Sequence, residues 1–167
     1  MKKGLIYILL LLFLTPLYSC KSRSAGEKSN YLPVTKVVDG DTFWVDDGSE
    51  KGLKIRLIGV DAPESRRTGR KEIGYYGQEA KEYLTQLISG KKVRLEYDVD
   101  TLDMYQRTLA YVYLENNTFV NAELMRQGYA MVMTIPPNVK YAKMFVKLQQ
   151  KARKKNRGLW GKESMNL

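Results

Sequence analysis

Five short apolar runs, each bounded by polar or turn-forming residues, constrain this chain more than any other feature. They cover residues 32–38, 42–45, 53–58, 93–97 and 109–114. Runs this short, rich in branched and aromatic side chains, read as strands. Alternation is clearest in the fourth, where Val93, Leu95 and Tyr97 share one face and Arg94 and Glu96 the other. In the third, Leu53, Ile55 and Leu57 share a face, so Arg56 is expected to point the other way, out of the core and onto the surface. Three stretches carry helical spacing. Residues 77–88 place Ala80, Tyr83, Leu84, Leu87 and Ile88 on one side. Residues 120–127 stop at Gly128, and residues 140–157 carry Met144, Phe145 and Leu148 on an apolar side. The last helix ends in Lys151, Arg153, Lys154, Lys155 and Arg157. Cations suit a helix C-terminus, so that run reads as a solvated basic face. Short strands with a helix between the third and fourth predict an α+β fold: a five-stranded OB-type β-barrel with three α-helices.

The first thirty residues stand apart. Lys2 and Lys3 precede an unbroken apolar run over residues 5–14, shorter than the roughly 20 residues of a spanning helix. This is the layout of a secretory signal. Leu17-Tyr18-Ser19-Cys20 resembles the lipobox of bacterial lipoproteins. That resemblance implies a signal peptide over 1–19, a lipid on Cys20 and a membrane as partner. The place of residence is then the bacterial cell envelope. Lys21 after the cysteine suits the outer membrane where the envelope has two. Residues 20–30 are polar and read as a flexible tether. The folded domain is expected over 31–162, with a tail at 163–167. Cys20 is the sole cysteine, so no intrachain disulfide can form.

Charge and missing residue types narrow the chemistry. Lysine and arginine number 28 against 18 acids, a net charge of +10. A small domain this basic suits a polyanion, either nucleic acid or an anionic membrane surface. The chain has no histidine. Ser-His-Asp and Cys-His catalysis and histidine-ligated zinc are therefore excluded. A general base must be a carboxylate, a lysine or a tyrosine.

Three constellations carry the candidate chemistry. Asp39-Gly40-Asp41-Thr42 lies between two strands, and residues 56–64 run from a strand out through Asp61-Ala62-Pro63-Glu64. The third is Asp103-Met104-Tyr105-Gln106-Arg107. Singly each is ordinary: Asp-Gly is a common turn, and Asp103 could simply pair with Arg107. Together they hold several carboxylates on strand-end turns, suited to a hard cation. Two arginines supply forked donors for phosphate oxygens. A remaining carboxylate can activate water.

The order and spacing of these motifs resemble the staphylococcal thermonuclease family. The resemblance runs from about residue 34 to 160 and includes Val37-Val38-Asp39-Gly40-Asp41-Thr42 and Val60-Asp61-Ala62-Pro63-Glu64. It continues through Tyr76-Gly77-Gln78-Glu79-Ala80, Arg107-Thr108-Leu109-Ala110-Tyr111, Val120-Asn121, Arg126-Gln127-Gly128-Tyr129-Ala130 and Gly158-Leu159-Trp160. It implies a Ca²⁺-dependent endonuclease that cuts DNA and RNA to leave 3′-phosphate ends. Asp41 and Asp61 would bind Ca²⁺ through carboxylates and Ala62 through its main-chain carbonyl, with Asp39 one layer behind them. Glu64 would be the general base. Arg56 and Arg107 would hold the phosphate and stabilise the transition state, and Tyr105 would contact a nucleotide phosphate. Arg66, Arg67, Arg70 and Lys71 fall in the family's basic loop beside the site and are expected to attract phosphate.

The chain departs from the family at four places. Gln106 stands where glycine is frequent, and Met104 where a phosphate-contacting lysine can occur. Thr134 and Pro136 replace two tyrosines that contact nucleotide. Two other functions compete with a nuclease. An OB module that only binds nucleic acid usually has metal or arginine positions replaced, whereas this chain keeps Asp41, Asp61, Glu64, Arg56 and Arg107. A basic structural lipoprotein would need none of them. The expected state is a monomer.

Overall fold

The computed structural model describes residues 30–67, 69 and 72–161. Cys20, the signal segment, nearly all of the tether, Arg70, Lys71 and the tail lie outside them. The strands are β1 (Tyr31–Asp39), β2 (Thr42–Val45), β3 (Leu53–Leu57), β4 (Gly59–Asp61), β5 (Lys92–Glu96), β6 (Thr108–Leu114) and β7 (Met131–Met133). The helices are α1 (Gly77–Ile88), α2 (Val120–Gln127) and α3 (Ala142–Lys154), followed by a 3₁₀ turn at Gly158–Trp160. Five strands close into a barrel, as the sequence predicts, and their order is β1-β2-β3-β6-β5. All its pairings are antiparallel except β3 with β6. Two register irregularities bend β1, which lets one strand serve both β2 and β5.

Phe43, Val45, Ile55, Leu57, Val93, Ala110 and Val112 belong to the closed core. Strand β6 is apolar on both faces because both are covered. Ala110 and Val112 share the face of Leu57 and Leu95, while Tyr111 meets Tyr141 edge-on at 4.6 Å.

Several boundaries differ from the sequence reading, most by one residue. The third strand stops at Leu57 because Gly59 takes φ 80°. A Cβ there would lie 2.5 Å from the Phe145 ring, so the chain turns and restarts as β4. Strand β4 pairs with β7, a two-stranded ribbon beside the barrel whose segments are too short to show a period. Strand β5 ends at Glu96, leaving Tyr97 outside it and 48% exposed. The last helix spans Ala142–Lys154 rather than 140–157, since Lys140 is held outside it by Glu96 at 2.7 Å.

One buried amide seals the seam beside the parallel strands. Asn121 opens α2 and is fully enclosed. Its Oδ1 accepts the Val112 N–H at 3.0 Å, and its Nδ2 donates to the Ile58 carbonyl at 2.9 Å. It thereby satisfies main-chain groups of two segments that a buried position would otherwise leave costly.

Candidate active site

The site grows from the turn between β1 and β2. Asp39 Oδ1 accepts the N–H groups of Gly40 (3.0 Å) and Ser65 (3.1 Å), tying the 62–65 loop to that turn. Asp41 is 7% exposed. Its Oδ1 accepts from the Thr42 hydroxyl at 2.8 Å, and its Oδ2 accepts the Ala62 N–H at 2.9 Å. Small residues make this closeness possible: a Cβ on Gly40 would fall 2.6 Å from Ala62 Cβ and 2.9 Å from Ala80 Cβ.

Arg56 reaches this cluster from β3. Its Nη1 lies 3.1 Å from Asp41 Oδ2 and donates to the Val60 carbonyl at 2.7 Å. Its Nη2 donates to Asp61 Oδ1 at 2.8 Å. The expectation of a surface-facing Arg56 is corrected. The side chain leaves the barrel core, as alternation requires, but it enters a polar cage and is only 11% exposed. Burial pushes the Asp41 carboxyl upward, and the Arg56 guanidinium opposes that rise.

Glu64 is half-buried on the loop after β4. Its carbonyl accepts the Gly74 N–H at 2.9 Å. A Cβ on Gly77, the first residue of α1, would sit 2.1 Å from that same oxygen. The start of α1 therefore fixes the main chain of Glu64 through a contact only glycine allows.

Arg107 is held locally. Asp103 Oδ1 accepts the N–H groups of Tyr105 (2.8 Å) and Arg107 (2.9 Å), and its Oδ2 accepts Arg107 Nε at 2.6 Å. The pairing that the sequence allowed between Asp103 and Arg107 is thus present. Burial raises the Asp103 pKa, but the Arg107 and Tyr105 hydrogen bonds outweigh it and hold the carboxyl below its usual range. Gln106 adopts φ 60°. The turn thus keeps the left-handed conformation that a glycine there would take without steric penalty, at a cost of about 1 kcal/mol.

A cavity of about 460 Å³ joins the two arginines. Its lining includes Arg56, Arg107, Asp103, Met104 and Tyr105 together with Met133, Ile135 and Pro136. Asn138 ties its walls together, accepting the Asp100 N–H and donating to the Asp100 carbonyl, both at 2.8 Å. Of the two tyrosine replacements, Pro136 lines the cavity and Thr134 does not. Met133, Ile135 and Asn138 were not singled out from sequence; they lie in segments without periodicity. Their one signal was the departure from the family at 134 and 136.

The structure therefore brings together Asp41, Arg56 and Asp61, with the Ala62 main chain against Asp41, and gathers Arg56, Arg107 and Tyr105 around one cavity. Arg66 is exposed, and Arg67, also exposed, pairs with Glu72 at 2.7 Å. Among the described residues no three carboxylate or thiol side chains form a metal cage. The donor set does fit a hard cation. Asp41 and Asp61 already converge on one positive group, the Arg56 guanidinium, and carboxylate oxygens are what Ca²⁺ prefers.

A closed five-stranded barrel of this order with three helices is an α+β fold of OB type. A family model described as "Staphylococcal nuclease homologue" matches residues 54–162, and the chain belongs to that family. It is 38% identical to a thermonuclease of Staphylococcus intermedius, over 84% of this chain and 81% of the relative. It is 37% identical to a thermonuclease of Staphylococcus hyicus, over 93% and 90%. A third relative, an uncharacterized endonuclease of Haemophilus influenzae, is 33% identical over 95% and 79%.

Proposed function

We propose that this chain hydrolyses phosphodiester bonds in DNA and RNA with Ca²⁺, leaving 3′-phosphate ends. The observation that carries the reading is the Arg56 guanidinium, paired with Asp41 and Asp61 and lining a cavity that Arg107 and Tyr105 also line. Asp41, Asp61 and the Ala62 carbonyl are the residues that would hold Ca²⁺. When bound, that ion lowers the pKa of water and offsets charge on the phosphate.

The rest falls to the chain's own groups. Glu64 takes the proton of the attacking water from a main chain fixed by Gly74 and Gly77. Arg56 and Arg107, which line the same cavity, hold the phosphate with donors already oriented before charge develops on it. Arg107 stands ready to favour departure of the 5′ oxygen, and Tyr105 contacts the adjoining phosphate. The cavity wall of Met104, Met133 and Ile135 offers apolar contact rather than hydrogen bonds to a base edge. Binding that depends on such a wall is tolerant of sequence. Lipidation of Cys20 would place this activity at a membrane, supported by the motif at 17–20.

Single-stranded DNA incubated with the protein, with Ca²⁺ and with chelator, tests the reading. Cleavage should require Ca²⁺, leave 3′-phosphates, and fall by about 10²–10³ in Glu64→Ala. Binding without cleavage by folded wild-type protein in Ca²⁺ would leave only the nucleic-acid-binding module.

A further inference from the structure

The exposed ridge of α3 carries charge that the helix itself does not need. Lys143, Lys147, Lys151 and Lys154 follow one another at i, i+4, i+8 and i+11, and all four are exposed. Phe145 and Ala152 are buried on the opposite side. Among the described residues none of the four lysines makes an ion pair, whereas neighbouring Arg126 and Lys140 are paired with Glu123 and Glu96. No aspartate or glutamate occurs between Glu123 and Glu163.

A basic C-terminal turn suits the helix dipole, and that accounts for Lys151 and Lys154. It does not account for Lys143 in the first turn, which has no acidic residue and where a cation opposes the dipole. Lysines spaced i, i+4 also repel one another. The ridge therefore costs the helix some stability, and no acidic partner neutralises it among the described residues.

The Phe145 ring lies against Gly59, and Gln149 Oε1 accepts the Val132 N–H at 2.7 Å. Helix α3 is thus seated on the β4–β7 ribbon, whose residues Asp61 and Met133 belong to the active site, and the lysine ridge forms the outer side of that helix, facing away from the ribbon. We propose that this ridge is a second nucleic-acid contact, which binds the phosphates of the substrate strand beyond the active-site cavity. The proposal rests on the nuclease reading above. Successive lysines advance by about 6 Å along the helix. A row of point charges suits a linear polyanion better than a planar one. A membrane-lying helix would also need bulky apolar groups to insert, and Val146 alone is exposed on this helix.

The test compares the full chain with a Lys143→Glu/Lys147→Glu/Lys151→Glu variant. Binding of a fluorescent 30-nucleotide single strand is followed by anisotropy in chelator across a salt series. Cleavage of a dinucleotide is followed in Ca²⁺. The variant should bind the 30-mer on the order of tenfold more weakly at low salt. Its log-log salt slope should be shallower by about two, since each phosphate contact of a single strand contributes about 0.7. Dinucleotide cleavage should stay within about twofold, and the melting temperature should change little, because like-charge spacings of one sign replace like-charge spacings of the other. An unchanged slope for the 30-mer would overturn the proposal. So would an unchanged slope accompanied by lost binding to phosphatidylglycerol vesicles, which would assign the ridge to a lipid surface. Wild-type protein that binds the 30-mer yet cuts neither substrate would defeat the nuclease reading, while the slope would still decide the ridge.

Discussion

The two arginines that share the cavity are held in opposite ways. Arg56 is positioned by the tertiary fold: its partners Asp41 and Asp61 come from two other strand ends, and it is 11% exposed. Arg107 is positioned by its own turn, through one carboxylate four residues earlier, and it is 26% exposed. A group built into the barrel is rigid but cannot be removed without consequence for the barrel. A group on a self-contained turn can be removed almost alone. The pair therefore separates what catalysis requires from what folding requires.

Arg56→Ala should have the largest effect. It leaves the buried Asp41 carboxylate without its cation, so stability should fall by about 3 kcal/mol in denaturant melts. Hydrolysis should fall by about 10²–10³ or more in the same variant. Unchanged stability would mean that the fold does not depend on the cage. Arg107→Ala should lose a similar factor in rate but less than about 1 kcal/mol of stability, since its pair is partly exposed and local. A large stability loss there would erase the contrast.

Asp103→Asn should come next. It weakens the turn without removing Arg107, so activity should drop about tenfold, mainly in kcat. Asp103 also sets a pH dependence. Its folded pKa is depressed, so its contribution to stability is present above the unfolded value and is lost as pH falls through the folded one. Melts of wild type and Asp103→Asn should therefore differ at neutral pH and converge below about pH 4. Met104→Lys should give the smallest change. Met104 is 84% exposed beside the cavity, and a lysine there should lower KM for single-stranded DNA about threefold at low salt and less in high salt.

Much of this molecule was legible in its residues. The barrel strands follow from apolar runs whose side chains face a closed core, and α2 ends at Gly128, which takes φ 78°. The carboxylates and arginines stood out because their spacing is shared with a family. The environment of each group was not legible. Nothing local to Arg56 says that its outward side chain meets Asp41 and Asp61, because those contacts depend on how the strand ends converge. The β4–β7 ribbon escaped for a related reason: three residues carry no period, and the break at Gly59 is dictated by Phe145, distant in sequence. The cavity wall at Met133 and Ile135 escaped with it.

Asn121 has a consequence that reaches past its hydrogen bonds. Its amide touches the chain at Val112 and at Ile58, and it sits on a third segment, α2. Donor and acceptor are directional, so each contact fits only one alignment. If β6 slid by one residue, or the chain after β3 ended a residue late, the amide would face a wrong partner inside a dry interior. The side chain thus works like a parity check on assembly: it adds little while everything is aligned, and it penalises every arrangement in which one of the three segments is out of step.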